Sequence, residues 1–127
     1  MPGSTKYVVA AVDDDFRVRE SIGSLMESAG FEPLLFASAE DFLSSGALPR
    51  VTCLITDVRM PGMDGIDLQR LVRRQRADLP VIFISAHYDN AVRLGALEEG
   101  ALEFLYKPFA PSQLLALIDR IVSEAKG

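Results

Sequence analysis

Four apolar runs in this chain stop on residues capable of phosphoryl and divalent-cation chemistry. Residues 7–12 lead into Asp13-Asp14-Asp15, residues 51–56 into Asp57, residues 81–85 close on Ser85 followed by Ala86, and residues 102–106 lead into Lys107-Pro108. Carboxylates gathered within a few ångströms repel one another, and the repulsion is relieved by raised pKa values or by a bound cation. Magnesium suits such a place, because it prefers oxygen ligands in an octahedron and keeps several waters. A carboxylate beside the ion can attack phosphorus and form an acyl phosphate. Lys107 and Ser85 would then offer a positive charge and a hydroxyl to the phosphoryl oxygens. Taken singly, an aspartate, serine or lysine at the end of a strand is an ordinary surface residue. The reading rests on all of them occurring together, in this order.

For these residues to meet, the runs must be neighbouring strands. Short apolar runs at 7–12, 33–36, 51–56, 81–85 and 102–106 alternate with stretches whose apolar residues recur every three or four positions, which argues for βαβ units. The first, third and fourth runs are almost continuously apolar, as in parallel strands covered on both faces. Val18, Ile22, Leu25, Met26 and Ala29 form one helical stripe closed by Gly30. Ser38 and Asp41 have capping-box spacing, Leu68, Leu71, Val72 and Gln75 mark a third helix, and Pro111 opens a last one with Leu114, Leu117, Ile118, Ile121 and Val122 inside. The fourth helix, over 90–99, has a short stripe and an interior Gly95 costing about 1 kcal/mol relative to Ala. The expected fold is α/β, a doubly wound five-stranded parallel sheet in the flavodoxin-like order 2-1-3-4-5, with helices on both faces. Ligands in such folds bind beyond the carboxyl ends of the strands, where the polar residues stand.

Composition narrows the function. The 127 residues suit one domain with one core. Eighteen acidic against 13 basic residues give a net charge of −5, the wrong sign for direct nucleic-acid binding. The apolar stretch at 7–12 runs into aspartates and is too short for a membrane span or signal peptide, so a cytoplasmic location is expected. Cys53, the sole cysteine, excludes an internal disulfide and reads as a small buried hydrophobe.

Over residues 7–122 the chain resembles the receiver domains of two-component response regulators. The resemblance is carried by Val12-Asp13-Asp14-Asp15 with Arg19 after it, by Thr56-Asp57-Val58-Arg59-Met60-Pro61-Gly62-Met63-Asp64-Gly65, by Ile84-Ser85-Ala86 and by Lys107-Pro108-Phe109. It implies that Asp57 is the phosphorylation site. It implies further that Asp13, Asp14, Asp57 and the main-chain carbonyl of Arg59 arrange Mg2+, with Asp14 a direct ligand and Mn2+ an alternative ion. Ser85 and Lys107 would bind the phosphoryl group. Ser85 and Phe104, the aromatic three residues before the lysine, would form the switch in preference to Tyr106, altering the surface of the fourth helix, fifth strand and fifth helix. Arg59 and His87 occupy positions that modulate how long the phosphoryl group lasts, although His87 also reads as a plain loop residue. Ser85 lacks the methyl of the commoner threonine, so its rotamer is less restrained.

The residues around Asp57, with His87 and Phe104, resemble most closely the receivers of nitrogen-fixation and nodulation regulators, which carry helix-turn-helix output domains. The implied function is a phosphorelay switch charged by a sensor histidine kinase and regulating transcription, with homodimerisation through the altered surface. Such a switch slowly dephosphorylates itself and is not a turnover enzyme. Residues 1–127 read as a single receiver domain with residues 1–6 a flexible lead-in; the sequence leaves open whether it stands alone or precedes an output domain. A haloacid-dehalogenase-like phosphatase would need an acid two residues after the nucleophile, where Arg59 stands. A flavodoxin-like phosphate loop would be rich in Ser, Thr and Gly where this chain has aspartates, and no Gly-rich loop ending in Gly-Lys-Ser/Thr is present.

Overall fold

The computed structural model describes residues 6–126. Of the expected lead-in only Lys6 is among them, exposed and ahead of the first strand. Three strands bury every residue: β1 (Val8–Val12), β3 (Cys53–Asp57) and β4 (Val81–Ser85). β2 (Glu32–Phe36) and β5 (Glu103–Tyr106) are half-buried edges. The order is β2-β1-β3-β4-β5, parallel throughout, as the continuous apolar runs predict for central strands.

The helices begin where side chains supply the missing acceptors. Asp15 accepts from the Arg17 amide at the start of α1 (Phe16–Ser28), Ser38 from Asp41 before α2 (Ala39–Ser44), and Asp64 from Asp67 before α3 (Gly65–Gln75). Asp89 accepts from Ala91 and Val92 before α4 (Asn90–Glu98), and Pro111 opens α5 (Pro111–Lys126). Past the end of α1, Gly30 takes a φ of 88°, the left-handed conformation its place predicts. Among the described residues no helix is long and apolar enough to cross a membrane.

Alternate residues of each strand serve opposite layers. Val8, Ala10, Val12 and Leu54 pack with Phe42, Leu68, Val72 and Phe104 on one side; Val9, Ala11, Cys53 and Ile55 pack with Ile22, Met26, Leu114 and Ile118 on the other. Cys53 is buried, and that burial pushes its thiol up to about 12.

Some expectations need correction. β3 starts two residues later than the apolar run, after an unanticipated single 3-10 turn at Leu48–Arg50. Val51 stays apolar because it covers the core from the loop, while the Thr52 amide donates to the Val8 carbonyl. Ala29 and Gln75, expected on buried stripes, are exposed. Both stand where their helix ends and backbone carbonyls turn to water. In α3 the polar Gln69 is buried instead, its Nε2 donating to the Ala96 carbonyl of α4 at 3.2 Å. One residue on, Arg70 grips Glu99 through two bonds of 2.8 and 2.9 Å. The carboxyl end of α4 is thereby tied to α3, while α4 itself buries only Ala96.

The amino end of α3 lies hard against the end of β3. The Gly65 amide donates to the Val58 carbonyl at 2.8 Å, and a Cβ at Gly65 would collide with the Asp57 carbonyl oxygen and crowd the Phe83 ring. Both neighbours are fixed, one of them as backbone. Gly65→Ala is therefore expected to destabilise the protein by about 1–3 kcal/mol, measured as a lowered midpoint in urea denaturation; an unchanged midpoint would show that α3 can back away freely.

Candidate functional site

The strand register delivers the polar residues to one edge. Val12 pairs with Thr56 and Asp57 with Ile84, so Asp13, Asp57 and Ser85 each stand at the top of a neighbouring strand. The Lys107 amide prolongs the last pairing by donating to the Ser85 carbonyl at 2.7 Å. Asp13, Asp14 and Asp57 each present a carboxylate oxygen within 4.8 Å of the others. Asp13 is 0% exposed and Asp57 7%, while Asp14 faces solvent.

Such crowding needs a counter-charge, which Lys107 provides. Its Nζ donates to Asp13 Oδ2 at 2.8 Å and to Asp57 Oδ2 at 3.0 Å. Burial pushes the Asp13 carboxyl above its usual range and the charge of Asp57 adds to this, outweighing the hydrogen bonds from Lys107 and the Asp15 amide. For Lys107, burial alone would lower the pKa, but the bonds to Asp13 and Asp57 win and hold the ammonium above its usual value. The lysine is thus locked in its charged form by the anions it serves.

The donor set fits a hard cation. Magnesium takes hard oxygen donors and keeps several waters, and three carboxylate oxygens within 4.8 Å of one another are donors of that kind. Asp13, Asp14 and Asp57 could hold such an ion. Arg59 lies two residues beyond Asp57 with its side chain exposed.

Ser85 is 2% exposed and occupied elsewhere: its Oγ accepts from the His87 amide at 3.0 Å and donates to the His87 carbonyl at 3.2 Å. The His87 side chain faces solvent. Phe104 points inward at 5% exposure, 5.8 Å from the Phe83 ring centroid and 5.4 Å from that of Tyr106. Tyr88, 75% exposed, stacks on Tyr106 at 4.3 Å. Aromatic contact therefore runs from the surface beside Ser85 into the core.

Two supporting contacts escaped the sequence reading. Arg19 Nη1 donates to the Asp13 main-chain carbonyl at 2.7 Å, and Glu40 Oε2 accepts from the Met63 amide at 2.9 Å, tying α2 to the loop after Asp57. That bond holds the Glu40 carboxyl below its usual range. For Arg19 a signal existed, since it follows the acidic run by one helical turn. For Glu40 there was none, because nothing in the pattern brings residue 40 beside residue 63.

Known proteins share this arrangement. The family model described as response regulator receiver domain matches residues 9–119. The transcriptional regulatory protein FixJ of Bradyrhizobium diazoefficiens is 38% identical over 125 residues, covering 97% of this chain and 60% of that protein. Nodulation protein W of the same organism is 42% identical over 113 residues, covering 88% of this chain and 49% of the relative. The chain thus spans about half to three-fifths of the length of these curated relatives. The crystal structure of a response regulator receiver domain protein from Clostridium thermocellum superposes with a TM-score of 0.88 at 27% identity, covering 94% of this chain and 97% of that one. With the acidic crevice, its bridging lysine and the parallel order of the sheet, these matches establish that the chain belongs to the receiver-domain family of two-component response regulators.

Proposed function

We propose that this chain is a phosphoryl-accepting switch, in which Asp57 takes its phosphoryl group from the phosphohistidine of a sensor histidine kinase in a magnesium-dependent step. The observation that carries this reading is the single ammonium of Lys107 bonded to both Asp13 and Asp57 beside the exposed Asp14. A purely structural ion pair would need one carboxylate for this lysine, where Lys107 holds two and a third stands beside them.

In this reading Asp13, Asp14, Asp57 and the Arg59 carbonyl hold the cation. Bound there, magnesium or manganese supplies positive charge against both the acidic cluster and the phosphoryl oxygens. One Asp57 oxygen forms a bond to phosphorus as the phosphorus–nitrogen bond of the donor breaks, and the electron pair of that bond stays on the imidazole. Lys107 keeps Asp13 and turns its second bond from Asp57 to a phosphoryl oxygen. The Ser85 hydroxyl gives up the His87 carbonyl and donates to another. An apolar groove of about 950 Å³, lined by Arg17, Val18, Leu25, Lys107, Pro108 and Phe109, opens beside the site and gives a donor protein a surface to rest on.

The switch follows from the same hydroxyl. In this reading Ser85 and Phe104 form the switch: Phe104 is packed inward against Tyr106, and Ser85 holds the 86–88 loop that carries Tyr88 against the same ring. Release of that loop alters the α4–β5–α5 surface, where few buried residues hold α4 in place. Arg59 and His87, both exposed beside the site, set the access of water and hence the phosphoryl lifetime. The altered surface controls an output domain or partner, or pairs with a second copy, in cytoplasmic regulation of transcription; the 38% identity to the transcriptional regulatory protein FixJ supports that output.

Acetyl phosphate or beryllofluoride should modify or occupy Asp57 only with magnesium present. Intact-mass spectrometry of the acetyl phosphate reaction should find one phosphoryl group on the wild type, none with chelator and none on Asp57→Asn; equal uptake by that variant would overturn the assignment. Lys107→Ala leaves buried Asp13 without its cation, and in chelator at pH 7 it is expected to cost about 3 kcal/mol in urea denaturation. The sign with pH is fixed. Asp13 titrates higher folded than unfolded, so the folded state holds more protons between those two pKa values and the cost of its charge is relieved as pH falls. The Lys107→Ala penalty should therefore shrink as pH falls through the raised titration range of Asp13, and a penalty that grows on acidification would contradict the electrostatic account.

A further inference from the structure

Arg19 has no part in the roles above, yet it holds the loop that carries two of the three carboxylates. Asp13 is the residue at which β1 runs out: its amide still reaches the Phe36 carbonyl at 3.1 Å, but the pairing of β1 with β3 has stopped at Val12. Its carbonyl is taken by the guanidinium of Arg19 at 2.7 Å, and the Arg19 amide takes the carbonyl of Asp15 at 3.1 Å. Two carbonyls of the acidic run are thus bonded to one residue of α1. The guanidinium carbon also lies 5.7 Å from the Phe16 ring centroid, an attraction that steadies the arginine along the outside of the loop.

The Asp13 carbonyl belongs to the peptide that joins Asp13 to Asp14. The peptide is planar, so an anchored carbonyl fixes the plane from which Asp14 departs. The carboxylate of Asp13 is independently pinned, by the Asp15 amide on one oxygen at 2.8 Å and by Lys107 on the other. Asp14, exposed to solvent, depends on the plane for its direction. We infer that Arg19 is a positioning residue for the divalent cation, clamping the Asp13–Asp14 peptide so that Asp14 presents its oxygen alongside those of Asp13 and Asp57. This rests on the magnesium-dependent reading of the site.

A rival account makes Arg19 a neutralising charge for the acidic run, and the two accounts differ in sign. A cation that only neutralises acids competes with magnesium, so its removal would tighten magnesium binding. A cation that orders a ligand favours magnesium, so its removal weakens binding. The bond to a carbonyl, not to a carboxylate, favours the second.

The test is isothermal titration of magnesium into the metal-free wild type, Arg19→Met and Arg19→Lys, alongside melting temperatures in chelator. Arg19→Met is expected to raise the magnesium Kd about tenfold, the effect of losing a group that orients a metal ligand. Arg19→Lys keeps the charge but replaces the planar fork with a compact, strongly hydrated ammonium, and it too should raise the Kd several-fold. Saturating magnesium should restore the rate of acetyl phosphate modification in both. An unchanged or lower Kd in Arg19→Met overturns the inference, as does a lowered melting temperature with wild-type magnesium affinity; if that variant does not fold, Arg19→Lys decides by the same criterion. A wild type that takes up no magnesium would sink the metal reading itself, a result distinct from a wild type that binds and variants that bind equally well.

Discussion

Like charge held at short range is the constraint around which this domain is arranged. Asp13, Asp14 and Asp57 converge within 4.8 Å, and Lys107 bridges two of them. The cation and the anions come from strands separated by 94 and 50 positions in the chain, so each can be satisfied only when the whole sheet has formed. Once formed, the cluster has one ammonium against three acids. A site left short of positive charge is ready to accept more of it.

The rest of the fold keeps that imbalance in place without quenching it. The three central parallel strands are buried throughout, and the residues that end them or directly follow them, Asp13, Asp57 and Ser85, bring polar groups to one edge. Gly65 lets α3 begin directly beneath Asp57, and Glu40 holds the intervening loop from the side. On the far flank, Ser85 is bonded to the backbone of His87 and thereby joined to the aromatic series Tyr88, Tyr106, Phe104 and Phe83. One hydroxyl is thereby linked, through the 86–88 loop, to rings that reach from solvent to the core.

Much of this was legible in the residue order. Parallel central strands announce themselves as unbroken apolar runs, and caps such as Ser38, together with Gly30, mark helix ends by local chemistry that needs no tertiary context. The clustering of Asp13, Asp57, Ser85 and Lys107 followed once those runs were taken as neighbours. What stayed hidden depended on contacts between elements. Val51 looked like strand because burial, not extended pairing, makes it apolar. Gln69 looked like surface because its partner is a carbonyl on α4, and Glu40 because its partner is a loop amide. The inward setting of Phe104 and the commitment of Ser85 to His87 are matters of conformation, which residue type does not specify.

The two-sided burial of β1 carries one more consequence. Val8, Ala10 and Val12 look to one layer and Val9 and Ala11 to the other, and both sets are aliphatic. Sliding this strand by a single residue would exchange the two sets and leave grease against grease on either side, so oiliness alone is a poor guide to alignment here. Beyond the mismatch of Val and Ala volumes, a penalty would fall at the tip, where the Asp13 carboxylate would swing away from Lys107. The charged end of the strand thus doubles as its alignment mark: the same residues that give the domain its chemistry tell the chain where to stop sliding.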